Sequence, residues 1–387
     1  MMAGMETTAE TFVKVFYAVL AFGILIFFHE LGHFLMAKLM GVKVITFALG
    51  FATKIFKLRV GETEYAICAV PLGGYVKMLG EDYDEEVPPH ELKRAFSSQT
   101  VLRRFIIVLA GPAFNLLLAM GIVSCLHLGE VPYLPARIQD VLEGSPAAEA
   151  GLSKGDEIVA VDGRQIRRFQ ELRERIIESD GAPMEFSVSR DGSLVKLVVT
   201  PRLRMEVSPY GDEIRLWQIG VVPVGEVRFE KFGPLDAFLE GVRWTWEKSW
   251  FTVRTLGRLL TGRESIKNIG SPLLIGAEAA KQAEHGPASY FSFIAFVSVI
   301  LAVMNLLPIP VLDGSHLLFF MMEAITGRPM SRRFLGAAQY VGIAILVCIM
   351  AWAVYRDLDR FYWKARRAEP PASSQQAPQE AVPDSKP

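Results

Sequence analysis

Residues 29–33 read His29-Glu30-Leu31-Gly32-His33, and they concentrate more potential chemistry than any other stretch of the chain. On a helix, positions four apart lie on one face, about 6 Å apart along the axis, so both imidazoles can reach one metal ion. Glu30 stands one step round from His29, where a carboxylate can hold and deprotonate a metal-bound water. The plainer reading is chance, or a cluster that only packs helices. With six histidines in 387 residues, chance gives on the order of 0.01 such motifs. The cluster also sits inside the apolar run 22–40, where ionisable groups are costly and tend to be functional.

Two histidines do not complete a catalytic metal site, which normally has three protein ligands and a water. A second acid lies in a long apolar stretch, in Asn305-Leu306-Leu307-Pro308-Ile309-Pro310-Val311-Leu312-Asp313-Gly314. Asp313 is one candidate for the third ligand and His316, one turn on, is the other. Pro308 and Pro310 break the helix, and carbonyls freed at membrane depth need protein or water partners. A broken helix beside an acid points to a water-containing cavity.

The elements that must carry these residues are apolar. The chain is 51% hydrophobic and 21% charged, with a mean hydropathy of +0.28, which indicates membrane segments rather than a soluble enzyme. Four stretches have the length to cross a bilayer: 11–40, 105–128, one beginning near Tyr290, and 336–354. The first lacks a signal-peptide cleavage site and runs straight into the charged cluster. A net charge of −1 gives no reason to expect a nucleic-acid partner. Cys68, Cys125 and Cys348 have neither disulfide-framework nor zinc-finger spacing and read as small apolar fillers.

Between the first two spans, 42–80 alternates apolar and polar residues and is punctuated by Gly61 and by Gly73-Gly74, the pattern of strand, turn and strand. Such a hairpin can offer an edge to an extended peptide, or can be purely structural. Residues 238–260 interleave Trp244, Trp246 and Trp250 with Arg243, Glu247, Lys248, Arg254 and Arg258, the composition of an amphipathic helix at a membrane interface. Lys38, Lys43, Arg103 and Arg104 flank the first loop, and Arg328, Arg332 and Arg333 lie between the last two spans. By the positive-inside rule both face the cytoplasm, with the middle of the chain outside. The C-terminal Arg356, Arg360, Lys364, Arg366 and Arg367 argue the other way. Asn115 is polar within an apolar run, which reads as inter-helix hydrogen bonding. Gly111-Pro112 either kinks and packs its helix or lies beside the site.

The His-Glu-x-x-His motif in a first membrane helix, with Leu312-Asp313-Gly314 late in the chain, resembles the site-2 protease family of intramembrane zinc metalloproteases, and most closely its bacterial sigma-E-regulating branch. Pro71-Leu72-Gly73-Gly74-Tyr75-Val76-Lys77-Met78, Gly111-Pro112-Ala113-Phe114-Asn115 and Asn268-Ile269-Gly270-Ser271-Pro272 add to the likeness, which reaches Arg360. Ser315 stands where the family commonly has a second glycine. The resemblance implies Zn2+ held by His29, His33 and Asp313, with Glu30 as general base. It implies that Asn305 helps hold substrate, and Pro308, Pro310, Gly73 and Gly74 are the further candidates for substrate binding. Ser145-Pro146-Ala147, the run from Ala150 to Ile158, and Val161-Asp162-Gly163 resemble a bacterial PDZ domain, and there is sequence for one such domain only.

The expected architecture is a polytopic α-helical membrane protein with about four transmembrane helices, a membrane-associated β-hairpin region and one α+β PDZ domain. Its parts are 1–130, membrane; 131–205, PDZ; 206–287, connector with the interfacial helix; 288–362, membrane; and 363–387, a disordered tail. The expected activity is regulated intramembrane proteolysis of single-pass membrane proteins, such as anti-sigma factors or signal-peptide remnants, after a first cut outside. The expected setting is the lipid bilayer of a bacterial inner membrane, with the PDZ domain on the extracytoplasmic side. A catalytically silent PDZ-bearing adaptor is the competing reading; the intact Glu30 argues against it. A metal transporter is disfavoured by the single site and the large outer module.

Overall fold

The computed structural model describes residues 2–81, 86–207, 213–261 and 271–358. They divide into two compact units, one within 2–131 and 229–353, the other within 132–228 together with 354–358. The family-like segment 268–270 and the tail after Ala368 lie outside the described residues.

The first unit begins with α1 (Met2–Leu39), an uninterrupted helix of Leu, Ile, Phe and Ala. Gly41 ends it in a left-handed conformation (φ 79°) while Val42 N–H returns to Ala37 O at 2.9 Å, a closure that glycine makes without strain. The chain then enters β1 (Val44–Val60), turns at Gly61-Glu62, and returns as β2 (Thr63–Met78). The pairing is richer than one hairpin. Segment 44–49 pairs with 74–78 on one side and with 64–67 on the other, while 54–60 pairs with 63–68. The two long strands therefore fold into four sheet segments, and Gly73-Gly74 lies within β2 rather than at the turn. Val42, Val44, Phe47, Val76 and Met78 bury one face of this sheet against Ala37 of α1 and Ile107 of the next helix.

That helix is α2 (Val101–Leu126), capped by Thr100, whose hydroxyl accepts from Arg103 N–H. Past β3 (Gly129–Tyr133) and the second unit, β12 (Arg228–Phe232) leads into α5 (Pro234–Leu260), α6 (Pro272–Glu284), α7 (Pro287–Asn305), α8 (Asp313–Thr326) and α9 (Arg332–Leu358). Among the described residues, four helices are long and apolar enough to cross a membrane: 10–39, 101–126, 287–305 and 334–358. α2 is the hub, packed against α1, α5, α7 and α8. Apolar residues gain little by leaving lipid for one another, so close backbone approach through small residues does the holding. Gly32 faces Ala110, Gly241 faces Ser124, and Gly276 faces Ala18.

Two elements differ from the sequence expectation of a connector and a short turn. α6 packs along α1 and α7, with Ala279 fully buried against the cluster of Ala21, Leu25 and Ile294. Between the last two spans stands α8, not merely a turn. Hydrogen bonds and contacts fix its course: Tyr290 reaches Tyr17, Ser298 reaches Asn115, Asn305 reaches His29, then Leu317 and Phe320 pack on Val108, and Glu323 meets Arg104. α7, the loop 306–312 and α8 thus form one discontinuous helix running alongside α2. The Trp-bearing α5 lays Trp244 and Leu256 on Ala119, Val123 and Val299, with Trp246 and Trp250 exposed.

The second unit is built from β4 (Ile138–Val141), α3 (Pro146–Glu149), β5 (Glu157–Val161), β6 (Arg164–Gln165), α4 (Phe169–Glu178), β7 (Met184–Arg190), β8 (Ser193–Val199), β9 (Arg202–Val207), β10 (Glu213–Gln218) and β11 (Val221–Pro223). Its four-stranded sheet has the order β6-β5-β7-β8, beside a β4-β11 pair and a β9-β10 pair. Phe186, Ile138, Ile158, Leu172 and Val188 form a fully buried core that Ile219 joins. The described residues between 206 and 228 therefore fall in this unit: β11 completes a pair, and Trp217 packs on the same core.

Candidate metal centre

α1 presents His29 and His33 on one face, and the facing wall is α2. A side chain at Gly111 would begin 2.3 Å from His33 Nε2 and 2.9 Å from His29 Cε1. Gly32 is equally constrained, since its Cβ would fall 2.2 Å from Ala110 O. Both glycines let the backbones approach until the imidazoles lie between the helices. Neither is in the set of site residues expected from the sequence.

Pro308 and Pro310 prevent α7 from continuing, and the loop holds Val311 at φ 87°, a conformation a β-branched residue rarely adopts. At Gly314 a Cβ would meet Leu307 O at 2.2 Å, so only glycine fits this tight re-entry into helix. Asp313 is the first residue of α8, where an acid also suits the helix N-terminus. Ser315 is buried and donates its hydroxyl to Leu312 O at 2.8 Å, supporting the same turn. Arg104 bonds Glu323 at 2.7 Å and lies over the Phe320 ring, fastening α8 to α2.

These elements bring three donor atoms together. His29 Nε2 lies 3.2 Å and His33 Nε2 3.5 Å from Asp313 Oδ2, and the two Nε2 atoms are 3.3 Å apart. Three ligands of a tetrahedral zinc at its usual bond lengths are separated by about 3.4 Å. Asp313 Oδ2 is buried without a hydrogen-bond partner, an arrangement that costs free energy unless a cation completes it. His33 Nδ1 lies 3.0 Å from Ile107 O; a carbonyl only accepts, so Nδ1 carries the ring proton and Nε2 offers its lone pair to the cluster. The residues present fit a zinc ion.

Glu30 is close enough to interact electrostatically with both histidines and Asp313. Gly74 abuts it, for a Cβ there would fall 2.9 Å from Glu30 Cγ. Asn305 Nδ2 lies 3.5 Å from His29 Nε2. Pro310 is in the loop's approach to Asp313, its backbone carbonyl 2.6 Å from where a Cβ on Gly342 of α9 would sit, and Pro308 is exposed. Gly73 (φ 116°) packs beneath the Phe51 ring. His316, the other candidate ligand, stacks obliquely on Phe320 with ring centroids 6.4 Å apart and is not among the converging donors.

A chain with four membrane-length helices and a His-His-Asp donor set beside a glutamate belongs to the class of membrane metallohydrolases. Residues 17–349 match Peptidase family M50, and the chain belongs to that family. It is 32% identical over 352 residues to a protein of Rhizobium meliloti, covering 87% of this chain and 94% of that one. It is 34% identical over 351 residues to one of Mesorhizobium japonicum, covering 87% and 95%. For one of Clostridium acetobutylicum the figures are 32% over 352 residues, 90% and 98%. All three carry the name "Putative zinc metalloprotease". Among solved structures, the PDZ domain of an SdrC-like protein from Listeria monocytogenes is similar over 24% of this chain and 92% of its own, at 21% identity and a TM-score of 0.20.

Proposed function

We propose that this zinc metalloprotease cuts single-pass membrane proteins within the bilayer, with His29, His33 and Asp313 holding the metal and Glu30 acting as general base. The observation that carries the reading is the convergence of the three donors beside Glu30, at the meeting of α1, α2 and a broken helix. Zinc bound there supplies a Lewis acid that polarises the peptide carbonyl and brings the pKa of water to about 7. Glu30 takes the proton of the attacking water and returns it to the leaving amine. Asn305, beside His29, donates from its amide to the substrate carbonyl. A helical substrate hides its carbonyls in its own hydrogen bonds and must unwind first. As a strand, segment 74–78 pairs with 44–49, and an extended peptide would add along the other side of its 74–76 part, beside Glu30. Gly73 and Gly74 keep that approach clear, and Pro308 and Pro310 hold the loop that closes the site.

The unit 132–228 is read as a single PDZ-like domain on the outer side of the bacterial inner membrane, restraining substrate choice by size. Every proposed ligand lies in the other unit. The silent-adaptor reading leaves the converging donors and Glu30 without a purpose. Purified protein in detergent, given a single-pass substrate trimmed outside such as an anti-sigma-factor-like protein, should cut within the membrane segment. Chelation should abolish cutting and added Zn2+ restore it. Excising 132–228 should keep that cut and admit a substrate with its outer domain intact. Chelator-resistant cleavage contradicts the metal reading, and a continued refusal of the bulky substrate contradicts the size restraint.

A further inference from the structure

Asn115 is fully buried in the middle of α2, and inter-helix hydrogen bonding alone does not account for it. Its backbone carbonyl already accepts the Ser298 hydroxyl at 2.8 Å. Its side chain points elsewhere: Nδ2 stands 3.2 Å from His29 Nδ1, while Oδ1 is buried with no hydrogen-bond partner. The two ends of a carboxamide have the same shape, and only the hydrogen-bond network tells them apart.

The network is dictated from the other side of the ring. His29 Nε2 is the atom facing Asp313 and His33. A metal among these atoms takes that nitrogen's lone pair, which leaves the ring proton on Nδ1. An Nδ1–H facing an amide N–H is repulsive, whereas an Nδ1–H facing the amide oxygen is a hydrogen bond. Either orientation leaves one end of the amide unpartnered, so the ring decides which. We propose that Asn115 is a positioning residue, whose Oδ1 accepts the Nδ1–H of His29 and so holds that ring in the tautomer that presents Nε2 to the metal. This rests on the metal reading of the site.

The same helix does the equivalent for the second histidine through the Ile107 carbonyl, 3.0 Å from His33 Nδ1. Residues 107, 111 and 115 are four apart, as are 29 and 33, so one stripe of α2 serves both rings. Ile107 orients His33, Asn115 orients His29, and Gly111 leaves room between them. Pro112 removes the N–H that would bond the carbonyl of residue 108 and loosens the turn in this stretch, where the Ile107 carbonyl makes its extra bond.

The test measures zinc per chain and zinc affinity, by competition with a chromophoric chelator, for wild type, Asn115→Leu and Asn115→Asp. Groups that orient a metal ligand from behind typically govern affinity by about 10–100-fold, so Asn115→Leu should bind at least about tenfold more weakly. Asn115→Asp still offers an acceptor and should stay within about threefold of wild type. A role in packing alone predicts the reverse order, because leucine fills the space while a buried carboxylate costs more. Wild-type affinity in Asn115→Leu, or equal loss in both variants, overturns the proposal. Nitrogen-15 NMR of histidine-labelled, zinc-loaded wild type gives a readout that needs no variant. It should show His29 protonated at Nδ1 and metal-bound at Nε2, and the opposite tautomer overturns the proposal. A wild type without zinc takes down the metal reading and this role together; zinc in wild type with an unaffected Asn115→Leu takes down this role alone.

Discussion

At Asp313 a single carboxylate oxygen is asked to lie buried between two imidazoles. The sequence alone leaves His316 as a rival, because both residues fall in the same apolar stretch one turn apart. In the structure the Asp313 carboxylate lies within 3.5 Å of both histidines, and among the described residues His316 is not one of the converging donors. Asp313→Asn keeps the shape of the side chain and removes its charge. It should lose most of the roughly one zinc per chain that such a ligand set supports, measured by metal analysis of the purified protein. Full retention in Asp313→Asn, with loss in His316→Ala, would move the third ligand to His316.

Among the elements, α2 carries the most specific constraints, and glycine substitutions along it separate packing from propensity. In helices alanine is favoured over glycine by about 1 kcal/mol, so an unobstructed change should be neutral or mildly stabilising. A methyl group added at Gly121 would meet nothing within 4 Å, whereas at Gly111 it would meet His33 Nε2 at 2.3 Å. Gly121→Ala should therefore keep both thermal stability and zinc, while Gly111→Ala should shed zinc. Equal zinc content in the two variants would show that α1 and α2 do not approach as described.

The second unit has its own element-scale test. Asp156 is buried in the turn before β5, and burial alone would raise its carboxyl. Two bonds from Arg190 at 2.8 and 2.7 Å, and the Ser153 N–H, outweigh that and hold it below the ordinary carboxylate value. A depressed folded-state value stabilises the fold above the unfolded value, near 4, and that stabilisation fades as pH falls through the folded one. Asp156→Asn should cost about 2 kcal/mol at pH 7, the scale of a charge-assisted hydrogen bond. The deficit should shrink in melts at pH 3. An undiminished deficit there would mean that charge is not what Asp156 contributes.

For the molecule as a whole, the sequence shows what depends on local pattern. His29 and His33 stand at helical spacing, Asp313 is singled out from His316 only by the resemblance to the family, and the four long helices among the described residues declare themselves by apolar length. Hidden from it is whatever depends on residues far apart. Nothing in 42–80 announces that two strands fold into four sheet segments, because each segment alternates in the same way. The stretch after 205 has a turn signal of its own in Ser208-Pro209-Tyr210-Gly211-Asp212, but nothing local ties it to β4, and the β11 pairing makes that link visible. Gly111 and Gly314 stand in motifs that the sequence marks, but the close approaches that require glycine at 32, 111 and 314 become visible only once the facing groups are in place. The spacing shared by 107, 111 and 115 is the available signal, and it needs its partner helix to acquire meaning.

That this donor set and Glu30 form a hydrolytic centre is tested most directly by comparing wild type with Glu30→Gln on one single-pass membrane substrate, with zinc content measured on the same preparations. The amide cannot accept the proton of water, yet it leaves His29, His33 and Asp313 untouched. A hydrolytic centre of this kind requires zinc at the wild-type level in Glu30→Gln and cleavage slowed by at least about 100-fold. Cleavage at the wild-type rate by zinc-loaded Glu30→Gln would contradict it.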